Sequence, residues 1–355
     1  MLACAGTGAA HAQHSVTLSA GVERVENPGL MVLSPGGATV LRLAPGYAYE
    51  EQDDRSSSKF SLGAVVERSS NSALLASRDY PSLDYAWRYK WPDASLELRA
   101  NLAESATRNT EFEDVGRVTS DSKERTVLAS ADWTQDLTAR TQLALGATAR
   151  RVSYDTTLLD AYQELRLLSR VSWEAGERTA YFFEPGYSRL SPSGTGADST
   201  QVRWALGVKT ELDPEWSVRV YAGRAKLSVA SSSSATLGGL HLVYAGRRLS
   251  SDLEWTKDAT ATGSTATYVN AQTLRLRLGY QITEGSNLAA SWSRAKSSGL
   301  SVSRGTEARL TLESQLSSNL SSTLGVEQRR STGLAGTTAK GWGVRAGLAY
   351  VYPGR

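Results

Sequence analysis

The sequence predicts an all-β chain closed into a single transmembrane antiparallel β-barrel of about 18 strands, with 16 as the lower count. Three observations predict it. Side-chain character alternates with period two from Val16 to Tyr352, which is the period of a strand and not of a helix. The alternating runs are about ten to thirteen residues long, the length a tilted strand needs to cross a bilayer. Short and long connections alternate along the chain, the barrel arrangement of tight periplasmic turns and longer extracellular loops.

The 355 residues divide into a residual signal segment, 1–12, and a barrel, 13–355. Ala10-His11-Ala12 fits the small-residue cleavage pattern of a secretory signal, placing the mature start near Gln13. Mean hydropathy is −0.33, and no run of about 18 apolar residues is present, so no helical span is expected. Nine Trp and fifteen Tyr against four Phe favour rings with a polar handle, which concentrate at membrane–water boundaries. Net charge is +3, from 39 basic and 36 acidic residues. That balance argues against a nucleic-acid binder. Cys4 is the single cysteine, so a disulfide framework is excluded.

The strands follow in order. In Leu83–Trp91 the residues Leu83, Tyr85, Trp87, Tyr89 and Trp91 share one face, while Asp84, Arg88 and Lys90 share the other. Ala94–Ala100 places Leu96 and Leu98 against Glu97 and Arg99. Val202–Lys209 and Leu274–Ile282 repeat the division. A strand with ionised groups on one face and large apolar groups on the other separates two different solvents. A soluble sandwich could also alternate, but its strands stop near five or six residues. Tight turns are expected at Trp91–Ala94, Asp213–Glu215, Ala245–Arg248 and Thr283–Ser286. Longer polar loops are expected at 26–36, 70–80, 107–124, 191–198, 228–236, 259–268 and 331–338, none of them large enough for a constricting fold. Trp91, Trp133, Trp173, Tyr181, Trp216, Tyr244, Tyr280, Tyr350 and Tyr352 fall near the short-turn ends of the apolar face. Trp204, Trp255, Trp292 and Trp342 fall toward the long-loop ends. Two aromatic belts follow.

The lumen then receives Arg88, Lys90, Arg99, Arg166, Arg170, Arg203, Arg219, Arg275, Arg277 and Arg309, with Glu97, Glu164, Asp252, Glu254, Glu307 and Glu313. Such residues tune permeation when they line a pore. They serve equally as ion pairs that keep a wall wet and rigid. Arg275 and Arg277, two apart on one strand, are the best placed to contact an anionic chain. Catalysis is not expected. The mature chain holds only His14 and His241, and neither has a nucleophile placed beside it by the sequence. His241 between Leu240 and Leu242 points into the lumen as a solvated wall residue. No cofactor or metal site is expected either, since ligand clusters are lacking.

The last strand, Arg345–Tyr352, resembles the C-terminal β-signal read by the outer-membrane assembly machinery, with Arg345, Gly347, Tyr350 and Tyr352 in the signal's places. It departs from that pattern in the three residues, Pro353-Gly354-Arg355, that follow the final aromatic. The segments Arg42–Tyr47, Ala131–Thr138, Thr141–Ala147 and Arg150–Asp155 resemble a proteobacterial family of porin-like outer-membrane barrels associated with exopolysaccharide biosynthesis and secretion. That resemblance implies a barrel serving as a conduit or accessory for exopolysaccharide secretion, with a polysaccharide and a periplasmic export complex as partners beside outer-membrane lipids. It supplies no catalytic residues. The alternative is a general or nutrient porin for passive diffusion of small hydrophilic solutes.

Overall fold

The computed structural model describes residues 11–354, apart from 119, 195, 229–231, 264–265, 299–302 and 334–336. Of the signal segment, residues 1–10 lie outside the described residues, and His11 and Ala12 open the first strand. Eighteen strands are described: β1 (His11–Glu26), β2 (Gly37–Gln52), β3 (Ser56–Ser69), β4 (Arg78–Lys90), β5 (Ala94–Ala106), β6 (Lys123–Thr138), β7 (Thr141–Tyr154), β8 (Tyr162–Gly176) and β9 (Thr179–Pro192). They continue as β10 (Ser199–Glu211), β11 (Trp216–Ser228), β12 (Ser232–Ala245), β13 (Leu249–Thr262), β14 (Thr267–Thr283), β15 (Ser286–Ser298), β16 (Ser303–Gln315), β17 (Leu320–Thr332) and β18 (Thr338–Pro353). Each pairs antiparallel with its sequence neighbour, and β1 pairs with β18 from Ser15↔Pro353 to Glu26↔Trp342. Closure leaves no strand edge. Every backbone donor and acceptor within the apolar layer can then find a partner in the ladder, which a membrane demands. No helix among the described residues is long and apolar enough to cross a membrane; the strands cross it.

The barrel is built inside out relative to a soluble protein. Val202, Leu206 and Leu348 are at least half exposed (55%, 55% and 51%), as are Trp173 and Tyr352 (50% and 60%). Their neighbours Arg203, Gly207 and Gly347 turn inward. The alternation expected from the sequence is therefore the division between lipid and lumen.

Tight turns join the strands at one end, and their chemistry is local. Asp53 Oδ1 accepts the backbone N–H of Arg55 and Ser56 at 2.8 and 2.6 Å. Asp213 Oδ1 does the same for Glu215 and Trp216, both at 2.8 Å. An aspartate that captures its own following amides closes a turn with no help from elsewhere.

At the other end the outcome differs from the expectation in two ways. Strands run 13 to 17 residues, longer than the ten to thirteen expected, because Ser, Thr and Ala residues continue the ladder beyond the apolar band. Parts of the expected loops 228–236 and 259–268 are strand for this reason: Ala235 pairs with Ala225, and Ala261 with Tyr268. The second difference is a helix, α1 (Thr107–Val115), within the connection from β5 to β6. That connection folds into the barrel. The expectation that no outer loop constricts the lumen is corrected.

Candidate functional site

The site is the lumen where α1 narrows it. Local sequence explains the helix. Phe112 and Val115, three apart, give it one apolar stripe, and both are buried, each 3% exposed. Gly116 ends it at φ 75°, with its N–H donating to the Phe112 carbonyl at 2.9 Å. A left-handed residue at that place favours glycine. The start is held by Thr107. Its hydroxyl donates to the Ser120 carbonyl at 2.6 Å and accepts the Ser122 N–H at 2.9 Å, drawing the two arms of the connection together.

Long-range contacts fix where the helix lies. Its C-terminal end rests on the wall of β16 and β17. Ser303 Oγ donates to the Val115 carbonyl at 2.5 Å, and Ser331 Oγ to the Gly116 carbonyl at 2.9 Å. Gly116 and Gly305 meet backbone to backbone; a Cβ built on Gly305 would stand 2.5 Å from the Gly116 Cα. Arg329 donates to Asn109 Oδ1 at 2.9 Å and lays its guanidinium over the Phe112 ring, 5.5 Å from the centroid. At the other end Arg108 binds Asp121 at 2.6 Å and Glu67 of β3 at 3.0 Å. Burial alone would lower the Arg108 pKa, but the two carboxylates outweigh it and hold the guanidinium charged. Thr110 donates to Glu124 at 2.8 Å. The helix spans the lumen between two walls.

Around it the charges interlock. On β16–β17, Arg309 pairs with Glu307 at 2.6 Å and Glu327 at 3.1 Å, and Arg329 reaches the same two carboxylates at 3.6 and 3.5 Å. On β1–β3, Arg42 joins Glu23 at 2.8 Å to Glu67 at 2.7 Å. Arg345 donates to the Thr311 hydroxyl at 3.1 Å. A cavity of about 540 Å³ between α1 and this wall is lined by Glu23, Arg42, Glu67, Asn109 and Arg345. The larger hollow of about 690 Å³ lies among the short turns, away from these groups.

The facing wall carries a second network. Glu184 binds Arg170 closely and Arg203 at 3.4 Å, with Arg219 at 3.8 Å, and Arg203 also pairs with Asp258 at 2.7 Å. Arg170 and Arg219 lie over the Phe182 ring at 5.3 and 4.8 Å. In direct register across four strands stand Arg219, His241, Glu254 and Arg275. Arg275 is 4.0 Å from Glu254, and Arg277 4.0 Å from Asp252. Ion pairs this long leave much of each guanidinium's donor capacity free. Asp114 of α1 lies within electrostatic reach of Arg150 and Arg275. Burial pushes its carboxyl up to about 6; Glu124 and Glu113 add to this, and the two arginines oppose it.

The connection from β13 to β14 narrows the same wall. Asp160 donates its N–H to the Gly263 carbonyl at 2.7 Å, and Tyr268 of β14 reaches Glu164 of β8 at 3.0 Å across the interior. Val152, Tyr162, Leu190, Leu237 and Tyr268 pack there as an apolar cluster inside the barrel.

The structure thus places the sixteen expected pore-lining residues on the lumen face, but it does not gather them at one site. Arg166, Arg170, Arg203, Arg219, Arg275, Arg277, Glu164, Asp252 and Glu254 share the wall facing α1. Arg309 and Glu307 lie under the helix. Near the short turns Arg88 binds Oε2 of Glu97 and Arg99 binds Oε1 of the same carboxylate, and Lys90 and Glu313 sit close to that mouth. His241, expected without a partner, has one: its Nε2 is 3.0 Å from Asp252. Of the assembly-signal residues, Tyr350 and Tyr352 face lipid, while Arg345 and Gly347 face the lumen. Sequence reasoning missed Arg108, Asn109, Phe112 and Asp114, and with them the roles of Glu23, Glu327 and Arg329. The available signal was the Phe112–Val115 spacing followed by Gly116.

Solved structures share this architecture. OccAB4 of Acinetobacter baumannii matches with a TM-score of 0.55 at 10% sequence identity, over 97% of this chain and 98% of that one. The outer membrane protein OpdK of Pseudomonas aeruginosa matches with a TM-score of 0.55 at 11% identity, over 97% and 99%. OccK9 (OpdG) of Pseudomonas aeruginosa matches with a TM-score of 0.53 at 13% identity, over 96% and 98%. No protein-family model and no curated protein matches the sequence. At these identities the likeness is one of fold. The chain is a porin-like outer-membrane β-barrel. The expectation of an exopolysaccharide conduit is corrected: the structures that share the fold are porins, and a helix lies across the lumen that a polymer would have to thread.

Proposed function

We propose that this barrel is a porin for passive diffusion of small hydrophilic solutes, which cross between α1 and the arginine-bearing wall of β8–β14. The observation that carries the reading is α1 itself. A loop tied to opposite walls by Thr110–Glu124 and Ser303–Val115 reduces a wide barrel to a passage for small molecules. Eighteen strands without such a loop leave a broad aqueous lumen. Arg219, Arg275 and Arg277 keep loosely paired guanidiniums, half-buried at Arg219 and Arg275 and exposed at Arg277, beside that passage. A planar guanidinium is suited to a carboxylate, which it can grip with two parallel hydrogen bonds. OpdK, one of the barrels sharing this fold, has been crystallised with vanillate, a small aromatic carboxylate.

Swelling of proteoliposomes tests the proposal. Vesicles containing the barrel should swell in isotonic vanillate and in small neutral sugars, and should stay intact in dextran. The Arg275→Gln/Arg277→Gln variant should admit vanillate about threefold or more slowly and neutral sugar at the original rate. Vesicles as impermeable as protein-free ones to every small solute would overturn the reading.

A further inference from the structure

The outward face at the long-loop end is as organised as the lumen, and nothing in solute passage accounts for it. On β13–β18 this face carries Lys257, Arg294, Lys296, Arg304, Arg330 and Lys340, all exposed. Arg224 and Lys226 continue it on β11. Lys257, Arg294 and Lys340 each stand two residues nearer the loops than a girdle tryptophan, Trp255, Trp292 and Trp342 respectively. Two residues of strand are about 6 to 7 Å, so the cations lie just beyond the ring of indoles, at headgroup depth.

Register makes the arrangement costly as it stands. Lys296 is directly opposite Arg304, and Arg330 directly opposite Lys340. Side chains so placed are about 5 Å apart at Cβ, and like charges there repel. Among the described residues no carboxylate relieves them. From Ala259 to the C-terminus the acidic residues are Glu284, Glu307, Glu313 and Glu327. Glu284 is in a short turn at the far end, and the other three face the lumen. The loops 259–268, 299–302 and 331–338 contain no Asp or Glu at all. The opposite arc of the barrel shows what neutralised cations look like: Arg68 pairs with Asp79 at 2.7 Å and Lys123 with Glu104 at 2.6 Å, and Arg189 binds Asp198 closely.

We propose that the β13–β18 face docks phosphorylated lipid headgroups of the outer leaflet, with phosphate oxygens seated between Lys296 and Arg304 and between Arg330 and Lys340. Charge complementarity selects this occupant. A surface held in the membrane at headgroup depth meets lipid first, and a phosphate between two cations converts each repulsive pair into two attractions. Five strand spacings of about 4.8 Å make the face roughly 24 Å wide. That width admits a row of several lipids and orients this side of the barrel toward anionic lipid, with the arc of neutralised pairs turned away from it.

The test is retention of a bis-phosphorylated glycolipid by the full-length barrel. The barrel is reconstituted in phosphatidylcholine nanodiscs doped with that glycolipid, extracted into mild detergent, and weighed by native mass spectrometry. Wild-type protein should retain several glycolipids and lose most of them in 0.5 M salt (a condition of about 4 Å screening length). Lys296→Gln/Arg330→Gln should retain about tenfold less, Lys296→Arg should retain as much as wild type, and Arg68→Gln should change nothing. Folding of each variant is read from its heat-dependent migration on a gel. A variant that fails to fold is replaced by Arg304→Gln/Lys340→Gln, which removes the other member of each pair. Equal retention of the dephosphorylated glycolipid, equal retention by the folded double variant, or displacement by millimolar inorganic phosphate alone would each overturn the proposal.

Discussion

Asp114 is the residue whose ionisation most directly alters the passage. It sits on the lumen helix with its carboxyl pushed up to about 6, against an ordinary value near 4. Below about pH 4 the group is neutral whether the chain is folded or not. As pH rises from about 4 to about 6 the unfolded chain gives up this proton while the folded one keeps it, so the folded state loses stability over that window and regains none above it. Function should follow the same titration. Above about pH 6 a negative charge appears beside Arg150 and Arg275, and the ratio of cation to anion current should rise with a midpoint near 6. In Asp114→Asn that ratio should be flat from pH 5 to 7, measured as reversal potential across a salt gradient. An unchanged midpoint in the variant would assign the titration to another group. The alternating inward charges of β4, β10 and β14 were legible because a period of two leaves a residue one choice of face. Their partners were not. Arg203 with Asp258 and Tyr268 with Glu164 join strands distant in sequence, and no local pattern encodes such a pairing.

At the scale of elements, strands and helix had different legibility. A strand declares itself by alternation, and the tight turns by residues such as Asp53 and Asp213 that capture their own amides. Helix α1 is short, and its polar surface reads as loop. Its position is set by contacts such as Ser303 with Val115, 188 residues apart in sequence. The Gly116–Gly305 approach is where that position can be tested. A valine at 305 would have to displace the Gly116 backbone, since its Cβ would stand 2.5 Å from that Cα. Overpacking of this kind costs about 1–3 kcal/mol. Gly305→Val should leave the barrel folded, free the loop tip for cleavage by added protease, and widen the pore. Protease resistance equal to the parent's would show that the contact does not hold the helix. Gly305→Ala is the milder form and should give the same change in smaller measure.

The whole molecule is a partition of two solvents by one closed sheet. Strand number, the lipid face and the aromatic belts followed from the sequence because membrane thickness and pleat geometry constrain every strand alike. The interior obeys no such repeat. It is shaped by the β5–β6 and β13–β14 connections folding inward, and by Arg108 and Arg329 knitting the first to the walls. Expecting an unobstructed lumen came from reading those connections as surface loops, and the route for a polymer from a resemblance carried by wall segments such as Arg42–Tyr47 and Ala131–Thr138, which hold no information on the interior. Single-channel recording in planar bilayers tests the resulting account most directly, with the parent compared against a chain in which residues 108–121 are replaced by a short Gly-Ser linker. The parent should show small, steady unitary currents, and the shortened chain currents at least about twofold larger. Equal currents in the two, or none in either, would contradict it.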